Sequence, residues 1–344
     1  MKLITFAVPC YNSEAYMSHC VETLLSGGSE VEIILIDDGS TDGTGAIADG
    51  YAARYPDIVR VVHQENGGHG EGVNQGLAHA SGLYYKVVDS DDWVNEKSLQ
   101  HVLETIREHR KAGWQVDMYI INFVYEHMSE GYQRIVEYSK VFPVEQICTW
   151  AGIKGFKQWD YMMMHSVIYR TEALKESGVH LPKHTFYVDN IMVYQPLPHM
   201  KTLCYLNENL YRYYIGRDGQ SIEEDVMIKR VDQQIRVTKI MLNSYTYDEL
   251  VRLDKPLFKY MINYMSKIMC ITSIFLLLAD KKNGTTVHTL ERDQLWQDVK
   301  KRDPKLYRKL RSQVVGMAAT IPGKYGPAIS IFLYHIAQKI FKFN

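Results

Sequence analysis

The chain has 344 residues, of which 46% are hydrophobic and 23% charged, and it carries a formal net charge of −1. That length accommodates a full catalytic domain with an appended region, and that composition belongs to an ordered globular protein. A near-neutral charge, without a zinc-finger or RNA-recognition signature, argues against nucleic acid as a partner.

The N-terminal third alternates between strand and helix periods, as βαβ units on a parallel sheet do. Residues 3–8, LITFAV, are a continuous apolar run, hence a strand covered on both faces. Residues 11–26 follow with helical spacing through Ala15, Cys20 and Leu24, and with Asn12 or Ser13 as N-cap. A second strand, residues 31–36, runs into Asp37-Asp38-Gly39-Ser40. Residues 44–54 read as a helix and 58–62 as a strand. A glycine-rich segment then opens a helix over residues 73–80, and residues 83–88, LYYKVV, form the strand that ends in Asp89. Beyond Trp114, residues 116–126 and 132–142 read as antiparallel strands. From Glu223 the chain turns helical, with long amphipathic helices over 225–242 and 257–279 and a turn at Asn283-Gly284. These elements imply an α/β domain over residues 1–220 and a mostly helical region over 221–344.

The five cysteines, Cys10, Cys20, Cys148, Cys204 and Cys270, are scattered and form no C-x-x-C pair. They fit reduced thiols in the cytosol and offer neither a disulfide framework nor a zinc site. The apolar run at residues 3–8 is too short for a signal peptide. The run at 268–279 falls short of the ~20 apolar residues of a spanning helix, so no segment is expected to cross a membrane. At the C-terminal end, Lys300, Lys301, Arg302, Lys305, Arg308, Lys309 and Arg311 face one acid, Asp303. Ile329, Phe332, Leu333, Ile336, Ile340 and Phe343 then share one helical face. The pair is either a solvated basic face beside a docked helix, or an interfacial anchor on the anionic inner face of a plasma membrane.

The chemistry concentrates where two strands end in acids: Ile36 runs into Asp37-Asp38, and Val88 into Asp89, Ser90, Asp91 and Asp92. Open α/β sheets bind ligands beyond the carboxyl ends of their strands, so both clusters face one crevice. Three carboxylates at one strand tip require a cation to relieve their repulsion. Hard oxygen donors suit Mg²⁺ or Mn²⁺, which complete their coordination with substrate phosphates, so a nucleotide diphosphate fits. In NGGHGEGVNQG, Gly67, Gly68, Gly70 and Gly72 let backbone N–H groups approach phosphate. The segment matches neither the P-loop nor the Rossmann fingerprint. His69, His165 and His184 stand alone and read as structural or surface residues, and Trp93 as a packing residue.

FAVPCYN, LIDDGSTDGT, NGGHGEGVNQGLAHASG and VVDSDDWV, in this order and spacing, resemble the nucleotide-sugar domain of family 2 glycosyltransferases with the GT-A fold, over residues 1–220. The resemblance implies a Rossmann-like mixed sheet with helices on both faces. It implies inverting transfer from a UDP-sugar donor to a saccharide or lipid-linked saccharide acceptor, with Mn²⁺ or Mg²⁺. By position it assigns donor contacts to Pro9, Tyr11, Asp37, Asp38, Asn66, Gly67, Asn74, Asp89 and Ser90, and the metal to Asp91 with Asp89. Asp189, in FYVDNIMVYQPL, falls at the general base, with a plain helix cap as the alternative role. Val188 precedes it where the family has an acid. Arg217, in YRYYIGRDGQSI, falls in the lid segment that meets the diphosphate. Many relatives carry Arg before the Asn of the glycine segment, and this chain has Val73. Lys86, inside LYYKVV, is the candidate for that missing positive charge, unless it snorkels from an edge strand. Alternative functions are a silent nucleotide-sugar-binding scaffold and a sugar nucleotidyltransferase. The latter should show a Gly- and Lys-rich loop where this chain has VPCYNSEAYM.

Overall fold

Seven residues without an exposed side chain form β1 (Ile4–Cys10), which needs neighbours on both edges and cover on both faces. The computed structural model describes residues 1–344 apart from 129–130, 159, 217–223, 322, 324 and 342–344. The chain divides into two compact units, Met1–Gly155 with Asp160–Arg217, and Phe156–Trp159 with Asp218–Asn344.

In the first unit β1 is followed by α1 (Met17–Leu25), β2 (Val31–Asp37), α2 (Thr44–Arg54), β3 (Val59–His63), α3 (His69–His79) and β4 (Tyr84–Val87). These strands pair in parallel in the order β3-β2-β1-β4. Cys10 stands opposite Asp37 and Ala7 opposite Val87, so the carboxyl ends of β1, β2 and β4 emerge along one rim. The chain continues through β5 (Trp93–Val94), α4 (Glu96–Lys111), β6 (Met118–His127), β7 (Tyr132–Val136) and β8 (Ile147–Cys148). Then come β9 (Val167–Arg170), α5 (Thr171–Glu176), α6 (Asp189–Tyr194) and β10 (Leu203–Ile215). β9 runs antiparallel between β4 and β6, and β10 lies parallel to β6, which makes the sheet mixed as expected.

Two helices begin elsewhere than the sequence implies. α1 starts at Met17 with Tyr16 as its N-cap, which offers no side-chain capping bond. Asn12 and Ser13, the expected caps, are engaged across the rim. Asn12, at φ 49°, accepts the Thr41 amide at 2.8 Å, and the Ser13 amide donates to Thr44 Oγ1 at 2.7 Å. α3 starts at His69 because Gly68, at φ 81°, makes the turn before it. A Cβ on Gly68 would meet the His184 backbone nitrogen at 3.0 Å, so this glycine admits protein backbone.

The second unit holds α7 (Glu224–Lys229), α8 (Val231–Ser244), α9 (Tyr247–Leu250) and α10 (Lys255–Asn283). It ends in α11 (Val287–Arg302), α12 (Pro304–Arg311), α13 (Val314–Ala319) and α14 (Gly326–Phe341). The single helix expected over 225–242 is interrupted at Arg230, between α7 and α8. Gly284, at φ 65°, closes α10 in a left-handed cap. Contrary to the expectation drawn from residues 268–279, α10 is long and apolar enough to cross a membrane by length and composition. Most of its apolar stretch is buried, and α7, α8, α11, α12, α13 and α14 all pack on it.

Candidate active site

The rim of β1, β2 and β4 collects the acids, and the local hydrogen bonds sort them. Asp37 accepts the Ser40 amide at 3.0 Å and approaches His63 Nδ1 at 2.9 Å. Burial pushes its carboxyl up, but Ser40 and His63 outweigh that and hold it below the usual carboxylate range. Asp38 accepts Gln64 Nε2 at 2.6 Å and the amides of Gly67 at 2.7 Å and Gly68 at 2.8 Å. Asn66 donates to the Asp38 carbonyl at 3.0 Å. The glycine segment is therefore wrapped around Asp38, and two of its amides, those of Gly67 and Gly68, are given to that carboxylate. Asn74 is likewise clamped to Leu181, donating to its carbonyl at 2.9 Å and accepting its amide at 3.0 Å. Its amide works as a staple between α3 and the segment leading to α6. Pro9 is buried in β1, whereas Tyr11 is 53% exposed beside it.

Beyond β4 two imidazoles stand beside the acidic tip. His69 Nε2 lies 2.8 Å from Asp89 Oδ1, and His165 Nε2 lies 3.7 Å from Asp89 Oδ2. Burial alone would raise the Asp89 carboxyl, yet the two imidazoles hold it well below the carboxylate range. For His69, burial opposes the charge, but Asp89 outweighs it and raises the imidazole. Asp92 is solved differently. It is 1% exposed, accepts Tyr211 OH at 2.6 Å and the Tyr214 amide at 2.8 Å, and burial beside Asp89 and Asp91 pushes its carboxyl well up. Ser90 Oγ is 2.7 Å from Ser13 Oγ, which ties the tip to the loop after β1. Asp91 remains half-buried.

Lys86 corrects the sequence reading. β4 lies between β1 and β9, so it is no edge strand, and Lys86 is 1% exposed beneath the rim. Its ammonium donates to the carbonyls of His165 at 2.7 Å and Val167 at 3.3 Å and sits 5.0 Å from the Tyr211 ring centroid. It therefore supports the acidic tip from below, through the two carbonyls that it holds. Val73 is buried as well. Arg217 lies outside the described residues.

Asp189 comes to this site from the far end of the unit's sequence. His184 and Tyr187 hold left-handed backbones, at φ 47° and 65°, and the His184 amide donates to the Gly67 carbonyl at 2.7 Å. Non-glycine residues persist there only when their surroundings over-determine them. Val188 is the N-cap of α6 and Asp189 its first residue, and Asn190 Nδ2 donates to Asp189 Oδ1 at 3.3 Å. Burial pushes the Asp189 carboxyl up, His165 and His69 pull it down, and Asp89 adds to the rise. Asp189, Asp89, His69 and His165 thus share one electrostatic neighbourhood.

Ligand atoms of Asp89, Asp92 and His165 lie within 4.8 Å of one another, and His165 Nδ1 is buried without a hydrogen-bond partner. Carboxylates with an imidazole suit Mn²⁺, and carboxylates with substrate oxygens suit Mg²⁺, so the donor set fits a divalent ion. Both Asp92 oxygens already accept bonds, from Tyr211 OH and the Tyr214 amide. The two histidines escaped the sequence reading because their acid is 20 and 76 positions away. The one signal was the need of the acidic tip for positive charge.

Residues 5–172 match the sequence model described as Glycosyl transferase family 2. Glycosyltransferase GlyG of Streptococcus pneumoniae is 30% identical over 220 residues, which take in 62% of this chain and 70% of that protein. Two Bacillus subtilis relatives, at 39% and 34% identity, are spanned over only 31% and 36% of their lengths. Among solved structures, Staphylococcus aureus TarS 1–349 in complex with UDP-GlcNAc has a TM-score of 0.62 at 20% identity, over 99% of this chain and 92% of that one. The mannosyltransferase PcManGT of Pyrobaculum calidifontis, solved with GDP-Man and Mn²⁺, has a TM-score of 0.53 at 15% identity, over 98% of this chain and 86% of that one. The last two likenesses are of fold, and they agree with the mixed sheet and its helical extension. Four motifs on one rim, the family match and the GlyG relative lead to one assignment: the chain belongs to glycosyltransferase family 2.

Proposed function

We propose that the protein is an inverting glycosyltransferase that moves a sugar from a UDP-sugar to an acceptor hydroxyl during assembly of a cell-surface polysaccharide or glycolipid. The observation that carries this reading is the shared neighbourhood of Asp189 with Asp89, His69 and His165 at the carboxyl rim of the parallel strands. GlyG supports the reaction class, and the structure of TarS, named a poly(ribitol-phosphate) β-N-acetylglucosaminyltransferase, supports a UDP-sugar and a surface polymer.

The chemistry needs a base and an acceptor of negative charge on opposite sides of the anomeric carbon. Asp189 takes the proton of the acceptor hydroxyl as that oxygen bonds to the anomeric carbon. The bond from the same carbon to the diphosphate breaks on the other face, so one displacement gives one inversion. His69, at the start of α3, holds positive charge beside Asp89 on the leaving side. Mn²⁺ or Mg²⁺, held by Asp91 with Asp89, would supply charge neutralisation on the departing diphosphate. Pro9 and Tyr11 flank the nucleotide on the rim, and the five free cysteines fit a cytoplasmic setting.

Release of UDP from a panel of UDP-sugars, UDP-GlcNAc first, tests the reading with Mn²⁺ or with a chelator. UDP formed only with metal and increased by a saccharide acceptor is expected. Pyrophosphate as product would replace the proposal by a nucleotidyltransferase, and binding without release by a silent scaffold.

A further inference from the structure

We propose that α12, α13 and α14 form a surface that docks on an anionic lipid bilayer, an inference that goes beyond the sugar-transfer reaction and does not depend on it. α14 packs by its less apolar side. Ser330, 1% exposed, donates to the Ala318 carbonyl at 2.7 Å, and Ile331 and Tyr334 pack against the core of Ile274, Phe275 and Leu278. The side left outward carries Ile329, Phe332 and Leu333, exposed at 44%, 63% and 40%. α13, held to α14 by the Ser330 bond, adds Val314 and Met317 at 58% and 53%. Single exposed apolar residues are ordinary, but five on two joined helices make a patch that water leaves unsatisfied.

Charge selects what covers the patch. From Pro304 to the last residue the chain contains no Asp or Glu. α12 brings Arg308 and Arg311, both exposed, and Arg311 Nε donates to Thr320 Oγ1 at 3.2 Å, which fixes the end of α12 beside α13. Neither arginine is in an ion pair among the described residues. A second copy of the chain would set these cations against themselves, and a neutral apolar partner would leave them unused. An anionic bilayer takes both: the apolar side chains enter the boundary of headgroups and acyl chains, and the arginines meet the lipid phosphates.

The test is flotation of the full chain with vesicles of phosphatidylcholine alone and of phosphatidylcholine with phosphatidylglycerol. Binding is expected on the anionic vesicles, weakened at least tenfold on the neutral ones and by added salt. Phe332→Ser with Leu333→Ser should abolish it at unchanged melting temperature. Arg308→Gln with Arg311→Gln should weaken it by roughly fivefold per cation. Both variants should release UDP from donor in the absence of vesicles as the parent does. Wild-type protein that stays with the lipid-free fraction overturns the proposal, as do variants that float like the parent or equal binding to both vesicles. Light scattering that shows a dimer broken by the serine pair would assign the patch to self-association and overturn it too. If flotation holds while no protein releases UDP, the proposed reaction fails and the docking surface stands.

Discussion

Replacing Lys86 by methionine should cost more stability at pH 9 than at pH 7. Lys86 is 1% exposed on β4, and its nitrogen donates to the carbonyls of His165 at 2.7 Å and Val167 at 3.3 Å. Burial pushes its ammonium down from 10.5 to about 7, against the attraction of Asp89. A neutral amine keeps two N–H donors, one for each carbonyl. Methionine fills a similar length but offers neither carbonyl a donor, at about 1–3 kcal/mol for each bond lost from a buried acceptor. The pH term has a definite sign. Between pH 7 and 10 the unfolded lysine holds a proton that the folded one has released, so wild-type stability rises with pH, and below 7 that gain is absent. Methionine has no such term. At about 1.4 kcal/mol per pH unit, the deficit of the variant should grow by about 2–3 kcal/mol from pH 7 to pH 9. Urea unfolding of both proteins at the two pH values measures it. A deficit that is the same at both would refute a buried lysine that loses its charge in the folded state.

Asp91→Ala should remove the metal dependence of UDP binding and leave the fold intact; titration calorimetry with and without Mn²⁺ checks this, and unchanged metal-dependent affinity contradicts the assignment. The acidic limb of kcat/KM should lie above the ordinary carboxylate value of ~4, because a base must be deprotonated to act and burial raises Asp189. His69→Gln, which removes one of the groups that pull Asp189 down, should move that limb to higher pH, and a limb that stays in place counts against the coupling.

The parallel strands and α2 were legible because continuous apolar runs and punctuating acids leave few alternatives, and the shared rim followed from parallel pairing. The start of α1 was not, since Asn12 and Ser13 look like caps by type while the fold uses them to bind Thr41 and Thr44. The partners of the glycine segment within the chain were hidden for a related reason. Glycine spacing reports close approach of a backbone, but Gly67 and Gly68 serve Asp38 and the His184 loop, which no local pattern reveals. Lys86 misled because its partners, His165 and Val167, belong to a strand region 79 and 81 positions away. Asp189 was singled out only through the family motif, since a single acid at a helix start reads equally as a cap.

The central claim is that Asp189 removes the acceptor proton across from a donor held at the acidic strand tip. Asp189→Asn keeps the shape of the side chain and removes its basicity, so binding and transfer can be separated in one variant. Donor affinity and single-turnover transfer, measured side by side on wild type and variant, test this most directly. The account predicts unchanged UDP-sugar affinity with transfer slowed by ~10²–10⁴-fold. Transfer within a few-fold of wild type at equal donor affinity would contradict it.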